Sequence, residues 1–475
     1  MRLRIFQYFV AFLAIGTLVV GAYDFNLGLA YGFAAACTVG PYYLFGKYLK
    51  HKYAYIFIAL VFLLTYFIRP LLLIPNKGLF KYLNLSGIDN ILIGSSMVEI
   101  GLYTACLLFG FCLMSAWSGG QKTTIVPLSP RLTRLQPQSF LLKKRKYIKG
   151  FTIAVIIAMA VFNLVLRIGV KKGFASSDIL IFIIPELLIH LICITYILKY
   201  KLDQGLFCTL LAAIALLGLL SGSKGAFAEI AILVVFYRLQ EKGNFKISAA
   251  KVIPIIVGGV FALFATFSIA NQIRYGILFS GKSLSSEVFF LFAKGGAEAF
   301  RPENMLYFTD LVTSRFNGFD GFLATEIYQS DLLHEAFSLG NTARRVIAKL
   351  IPFDGGTPTI STGRAVSIEY VGFSADKSFS GAVGLWGTVQ LMSQTYGEFI
   401  AFGLGASWAW LIAQFQKVKD SDISFVLQGL VMLMIAESIM SGNFDNTVSW
   451  FVIRLFQVGF YVCLINLVSA KTLST

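Results

Sequence analysis

The sequence predicts an all-α, polytopic membrane protein of about twelve transmembrane helices, with one large, partly helical loop late in the chain. Three observations predict it. Apolar residues make up 57% of the 475 and charged residues only 13%. A soluble domain lacks the polar surface to cover so much apolar side chain, whereas lipid requires no such cover. Runs of roughly 20 apolar residues, the length that spans a bilayer, recur along the chain. Lysine and arginine crowd alternate interspan segments and thin out on the others, which fixes orientation.

The spans follow in order. Span 1 (5–23) and span 2 (26–46) are joined by a tight outer turn at Asp24. Lys47, Lys50 and Lys52 mark the inside. Span 3 (53–74) carries Arg69-Pro70 near its outer end, and span 4 (92–115) returns. Segment 117–149 holds eight Lys/Arg and no acid, and its Pro127, Pro130 and Pro137 predict an irregular cytoplasmic linker. Spans 5 (150–169) and 6 (178–198) follow. Spans 7 (204–220) and 8 (225–238) enclose the outer turn Ser221-Gly-Ser-Lys-Gly225, and span 9 is 252–270. Spans 10 (388–415), 11 (424–442) and 12 (446–468) close the chain. The domain reading is therefore spans 1–9 over 1–270, a loop over 271–387 and spans 10–12 over 388–475. Both termini are expected on the cytoplasmic side.

The net charge of +16 does not predict a nucleic-acid partner. The long outer loop holds ten Lys/Arg against eleven Asp/Glu, so the surplus is the cytoplasmic orientation signal. All six cysteines fall in apolar runs, where small buried hydrophobes are expected, and none has metal-ligand spacing. The outer loop is too long and too apolar to be a plain connector. Ser285 to Ala293 and Asn304 to Val312 read as helices in it, separated by glycine-rich turns such as Asn317–Gly321 and Asp354–Pro358.

No Walker A loop, dinucleotide fingerprint, HExxH or GxSxG appears. The informative pattern is the ionisable groups inside spans, including Arg69, Glu99, Lys224, Glu229, Glu398 and Arg454. They gather in outer halves, which predicts a polar cavity open to the outer face. Lys224 stands at the start of span 8, where helix N–H groups and an ammonium together attract phosphate. The outer loop adds Arg274, Arg301, Arg315, Arg344, Arg345 and Arg364, whose planar guanidinium forks suit phosphate oxygens. Asp320, His334, Glu298 and Glu369 are the candidate bases on that side, and the sequence does not choose among them. Phe316, Phe319, Phe322 and Tyr328 are read as core aromatics ahead of sugar-stacking ones.

The many-span layout with one late outer loop, Arg69-Pro70, the SGSKG turn and the segment SRFNGFDG (314–321) together resemble the bacterial O-antigen and capsule repeat-unit polymerases of the Wzy type. That group is related in architecture to the O-antigen ligases. Lys224 replaces the arginine usual in the turn, keeping the charge without the bidentate fork. The resemblance implies a GT-C-like fold in the bacterial inner membrane and a glycosyltransferase that needs neither metal nor other cofactor. It implies undecaprenyl-pyrophosphate-linked oligosaccharide as donor and acceptor, membrane lipids as surroundings and a chain-length regulator as a further partner. The alternatives are an O-antigen ligase and a transporter or flippase for lipid-linked sugars.

Overall fold

The computed structural model describes residues 2–74, 88–118, 139–160, 186–200, 202–220, 225–240, 265, 268–269, 294, 297, 318–328, 330–350, 362–371, 383–393 and 395–471. Among these residues every regular element is helical. In chain order they are α1 (Arg2–Tyr23), α2 (Phe25–Phe45), α3 (Lys52–Phe62), a π-helical turn (Leu63–Phe67), α4 (Ile68–Leu73) and α5 (Asn90–Trp117). Next come α6 (Phe140–Lys143), α7 (Arg145–Ala160), α8 (Glu186–Tyr200), α9 (Gln204–Leu220) and α10 (Gly225–Gln240). The remainder are α11 (Gly318–Ile327), α12 (Asp331–Phe337), α13 (Leu339–Leu350), α14 (Thr362–Val371), α15 (Gly384–Met392), α16 (Gly397–Gln416), α17 (Ser421–Ser441) and α18 (Phe444–Lys471).

Among the described residues six helical stretches are long and apolar enough to cross a membrane: Phe6–Tyr23, Lys52–Leu72, Asn90–Trp117, Gly397–Gln416, Ser421–Ser441 and Phe444–Ser469. The chain is a helical membrane protein. Helix α2 (21 residues, with Pro41 inside it) is not among these six. Helices α9 and α10 flank the SGSKG turn, of which residues 221–224 lie outside the described residues, as does nearly all of span 9.

Three local expectations are corrected. Span 10 is two helices, because the backbone leaves helical geometry at Ser393 (φ −167°, ψ 107°) between α15 and α16. The segment 117–149, read as an irregular linker, is already helical from Phe140, because the Ser139 hydroxyl accepts the Leu142 N–H and caps α6. Gly318–Gly321 is the first turn of α11 and not a loop turn. The cysteines also divide: Cys112 and Cys193 are buried, while Cys208 and Cys463 are exposed on apolar helices.

The chain forms two compact, discontinuous units. The first comprises Met1–Ile125, Thr313–Lys417 and Val431–Val452. Its spine is α5 packed on α2 and α16. Small residues let these backbones touch: a Cβ at Gly110 would stand 2.2 Å from the Phe402 carbonyl oxygen, and one at Gly405 would stand 1.9 Å from that of Leu107. At its N-terminus, α2 is capped by Asp24 through the Asn26 and Leu27 N–H groups, and the other Asp24 oxygen accepts from Asn90 Nδ2 at 2.8 Å.

The second unit comprises Val126–Val312, Val418–Leu430 and Ile453–Thr475. Asp422 is its buried hub. One oxygen accepts from Lys199 Nζ (2.5 Å) and Tyr200 OH (2.6 Å), the other from Ser139 Oγ (2.5 Å) and Leu141 N (2.9 Å). A buried charge with this many donors is well compensated.

Asp203, just before α9, sits at φ +51°, a left-handed conformation that aspartate tolerates better than most residues. Lys149 Nζ lies 2.7 Å from its carboxylate, which also accepts from Arg145 Nε (2.7 Å) and Tyr196 OH (3.0 Å). These donors, Lys149 foremost, hold the carboxyl down to about 2. The unfolded value is about 3.9, so the contribution is complete above that pH and is lost as pH falls toward the folded value. Asp203→Asn is expected to lower Tm slightly at neutral pH and to flatten the acid limb between these two values, read from Tm against pH for both proteins.

Candidate active site at the end of the Arg69 helix

The π-helical turn Leu63–Phe67 interrupts the membrane-crossing stretch Lys52–Leu72 just before Arg69. Such bulges frequently mark functional sites, because the extra residue re-aims the side chains that follow. Here the turn precedes a buried ion pair: Arg69 Nε donates to Asp320 Oδ2 at 2.8 Å, with 3% and 1% of the two side chains exposed. The pair joins the Arg69-Pro70 motif to the SRFNGFDG motif across 251 residues of sequence.

The glycines of the second motif make that approach possible. A Cβ at Gly318 would lie 2.5 Å from the Thr65 methyl group and 2.7 Å from the Tyr66 ring. A Cβ at Gly321 would lie 2.5 Å from the Val383 Cα. Gly384 starts α15 at φ +71°, a conformation that favours glycine, against the Gly318 backbone. Trp386 then fixes the corner. Its backbone N–H donates to Tyr66 OH (3.0 Å), its indole Nε1 to Thr104 Oγ1 (3.1 Å), and its ring stacks on Phe62 at 5.3 Å. Gly321→Val is expected to remove the folded protein, checked by its yield as a monodisperse species after detergent extraction.

A second group of side chains lies along α11 and α5. Tyr103 OH donates to Glu99 Oε1 at 2.8 Å. Gln390 Nε2 donates to Glu326 Oε1, and the Gln390 oxygen accepts from Thr325 Oγ1 at 3.0 Å. Glu326 is half-buried, and that burial, followed by the nearby Glu99 charge, raises its carboxyl above the ordinary value. Glu398, in the first turn of α16, is exposed and close enough to act on Tyr103 electrostatically. A half-buried carboxylate whose pKa is raised is the usual material of a general base.

The sequence-derived candidates are placed as follows. Arg345 is buried and bonded to Asp445, with Nε to Oδ2 at 3.2 Å, and Thr362 Oγ1 reaches the other oxygen at 3.3 Å. Arg69 and Arg345 are therefore each committed to their own carboxylate. Asp320, bonded to the buried Arg69 guanidinium, has the geometry of a clamp between α4 and α11. His334 Nδ1 faces the Leu391 carbonyl oxygen at 3.4 Å. Glu369 is half-buried, next to Tyr370, whose ring meets Tyr328 at 5.4 Å. Arg344 is exposed, and Arg364 lies in α14. Phe319 and Phe322 are core residues with no exposed surface. Glu298, Lys224, Arg274, Arg301, Arg315 and Phe316 lie outside the described residues.

Glu326, Trp386 and Asp445 are site residues that the sequence reading missed. The available signal for Glu326 was an acid set inside an apolar stretch, Phe322 to Tyr328. No protein-family model, curated protein or solved structure matches the chain.

Proposed function

We propose that the chain is a repeat-unit polymerase: a metal-independent glycosyltransferase that joins oligosaccharides carried on undecaprenyl pyrophosphate at the outer face of the bacterial inner membrane. The observation that carries this reading is the Arg69–Asp320 pair. It brings together in space two of the motifs on which the resemblance rests, and Glu326, further along the same helix α11, has its carboxyl pKa raised by burial.

In this reading a carboxylate takes the proton of an acceptor hydroxyl, and that oxygen forms a bond to the anomeric carbon of the donor. The bond from that carbon to the pyrophosphate oxygen breaks, and the pyrophosphate leaves on its lipid. Glu326 fits the base best, since it is half-buried, hydrogen-bonded on one oxygen by Gln390 and backed by Glu99. Lys224 and Arg315 are assigned the departing charge, an electrostatic task that often dominates such catalysis.

The test uses purified protein in vesicles with lipid-linked repeat units and no nucleotide sugar. A ladder of lipid-linked products supports the polymerase. Vectorial movement of unchanged lipid would mean a transporter, and transfer only to a lipid A core acceptor would mean a ligase. Glu326→Gln is expected to abolish ladders while the protein stays folded. Lys224→Ala and Arg315→Ala are expected to do the same without loss of expression. The base must be deprotonated, so the parent's rate should rise with pH through a value above the ordinary glutamate range near 4.3.

A further inference from the structure

Helix α13 is built inside out. On a helical wheel Leu339, Ala343, Val346, Ile347 and Leu350 share one face, and Asn341, Arg344 and Arg345 share the other. A helix docked on a protein core buries its apolar stripe and turns charge outward. Here Leu339 is 63% exposed, Ile347 is 50% exposed and Ala343 is exposed, while Arg345 keeps only 3%.

The buried face explains how the helix is held. Arg345 Nε bonds to Asp445, and its Nη2 donates to the Ala336 carbonyl and to Thr342 Oγ1 at 3.2 Å. The helix is thus pinned through Arg345, with Leu339, Ala343 and Ile347 turned outward and Val346 and Leu350 half-buried at the edge of that stripe. The anchor also sets its height. Asp445 lies in the first turn of α18, a spanning helix, and the ends of such helices lie at the headgroup region. Arg344 borders the outward stripe on the wheel and is exposed, which suits a lipid phosphate.

We propose that α13 is an interfacial helix: its Leu339–Ala343–Ile347 stripe inserts among the lipid chains at the membrane surface, and Arg344 meets the phosphates of anionic lipid. Neither the stripe nor the anchor depends on the chain being a polymerase.

The test is photo-crosslinking of the full chain in vesicles of phosphatidylglycerol and phosphatidylethanolamine. Ile347 or Ala343 is replaced by p-benzoylphenylalanine, and adducts are read by peptide mass. Both side chains face outward, so the substitutions leave the packing around Arg345 intact. Phe456, 70% exposed on α18, is the positive control, and the exposed Glu335 on α12 is the aqueous control. The apolar face of an interfacial helix sits roughly 5–10 Å inside the headgroup boundary, so phospholipid adducts at 343 and 347 should exceed those at 335 by about tenfold. Lipid adducts at Phe456 without any at 343 or 347 would overturn the proposal. So would a crosslink from these positions to a second copy or to another protein.

Discussion

Asp320→Ala is expected to destabilise the protein by about 3–5 kcal/mol, because it leaves the Arg69 guanidinium buried without its carboxylate. The attraction itself is not the source of this cost. Both charges have left water, and removing one exposes the full desolvation penalty of the other. The double replacement Arg69→Met with Asp320→Leu should therefore recover most of the loss, since it removes the buried charge together with its partner. Thermal unfolding in detergent of the two single variants and the double variant measures this directly. A single variant that unfolds at the parent temperature would show that water reaches the pair. Ladder formation separates structure from chemistry. If the double variant regains stability without ladders, Arg69 or Asp320 acts on substrate. If ladders return, the pair only holds α11 against α4.

Gly405→Leu is expected to be the most disruptive single change in the membrane-spanning part. The first side-chain atom would fall 1.9 Å from the Leu107 carbonyl oxygen and 3.1 Å from the Phe111 nitrogen. Those are backbone atoms of another helix, so no rotamer change relieves the clash and α5 must move away from α16. Overpacking a closed contact costs about 1–3 kcal/mol when side chains can adjust, and more when they cannot. Gly403, on the same helix, meets nothing within 4 Å, and Gly403→Leu is expected to leave the protein unchanged. The pair of variants distinguishes close helix packing from the general cost of replacing glycine in a helix. The readout is the fraction of monodisperse protein after extraction, followed by Tm. Equal behaviour of the two variants would rule out the close α5–α16 contact.

Much of the fold was legible residue by residue. The ends of α1, α2, α5, α9, α17 and α18 fall within a few residues of the spans read from the sequence. The break between α15 and α16 was legible in the polar run Ser393-Gln394-Thr395-Tyr396-Gly397-Glu398, which the reading of one long span passed over. The glycines at 318 and 321 read as a turn because isolated glycines usually punctuate helices. In α11 they serve the opposite end, letting one helix come close to the backbone of Val383.

For the site, the sequence supplied Arg69, Asp320 and Arg345 as candidates and misjudged their company. A phosphate clamp requires arginines whose forks face a ligand, whereas two of them face buried carboxylates. The same count of ten cations and eleven acids over residues 271–387 fits either outcome.

The sequence by itself determined that this chain lives in a membrane, and roughly where it crosses, because insertion depends on the summed hydrophobicity of about 20 neighbouring residues. Only the tertiary structure decided that Asp320 answers Arg69, that Asp445 answers Arg345 and that α13 turns its apolar face outward. Those facts depend on which distant groups share one low-dielectric space, and adjacency in sequence carries no record of that.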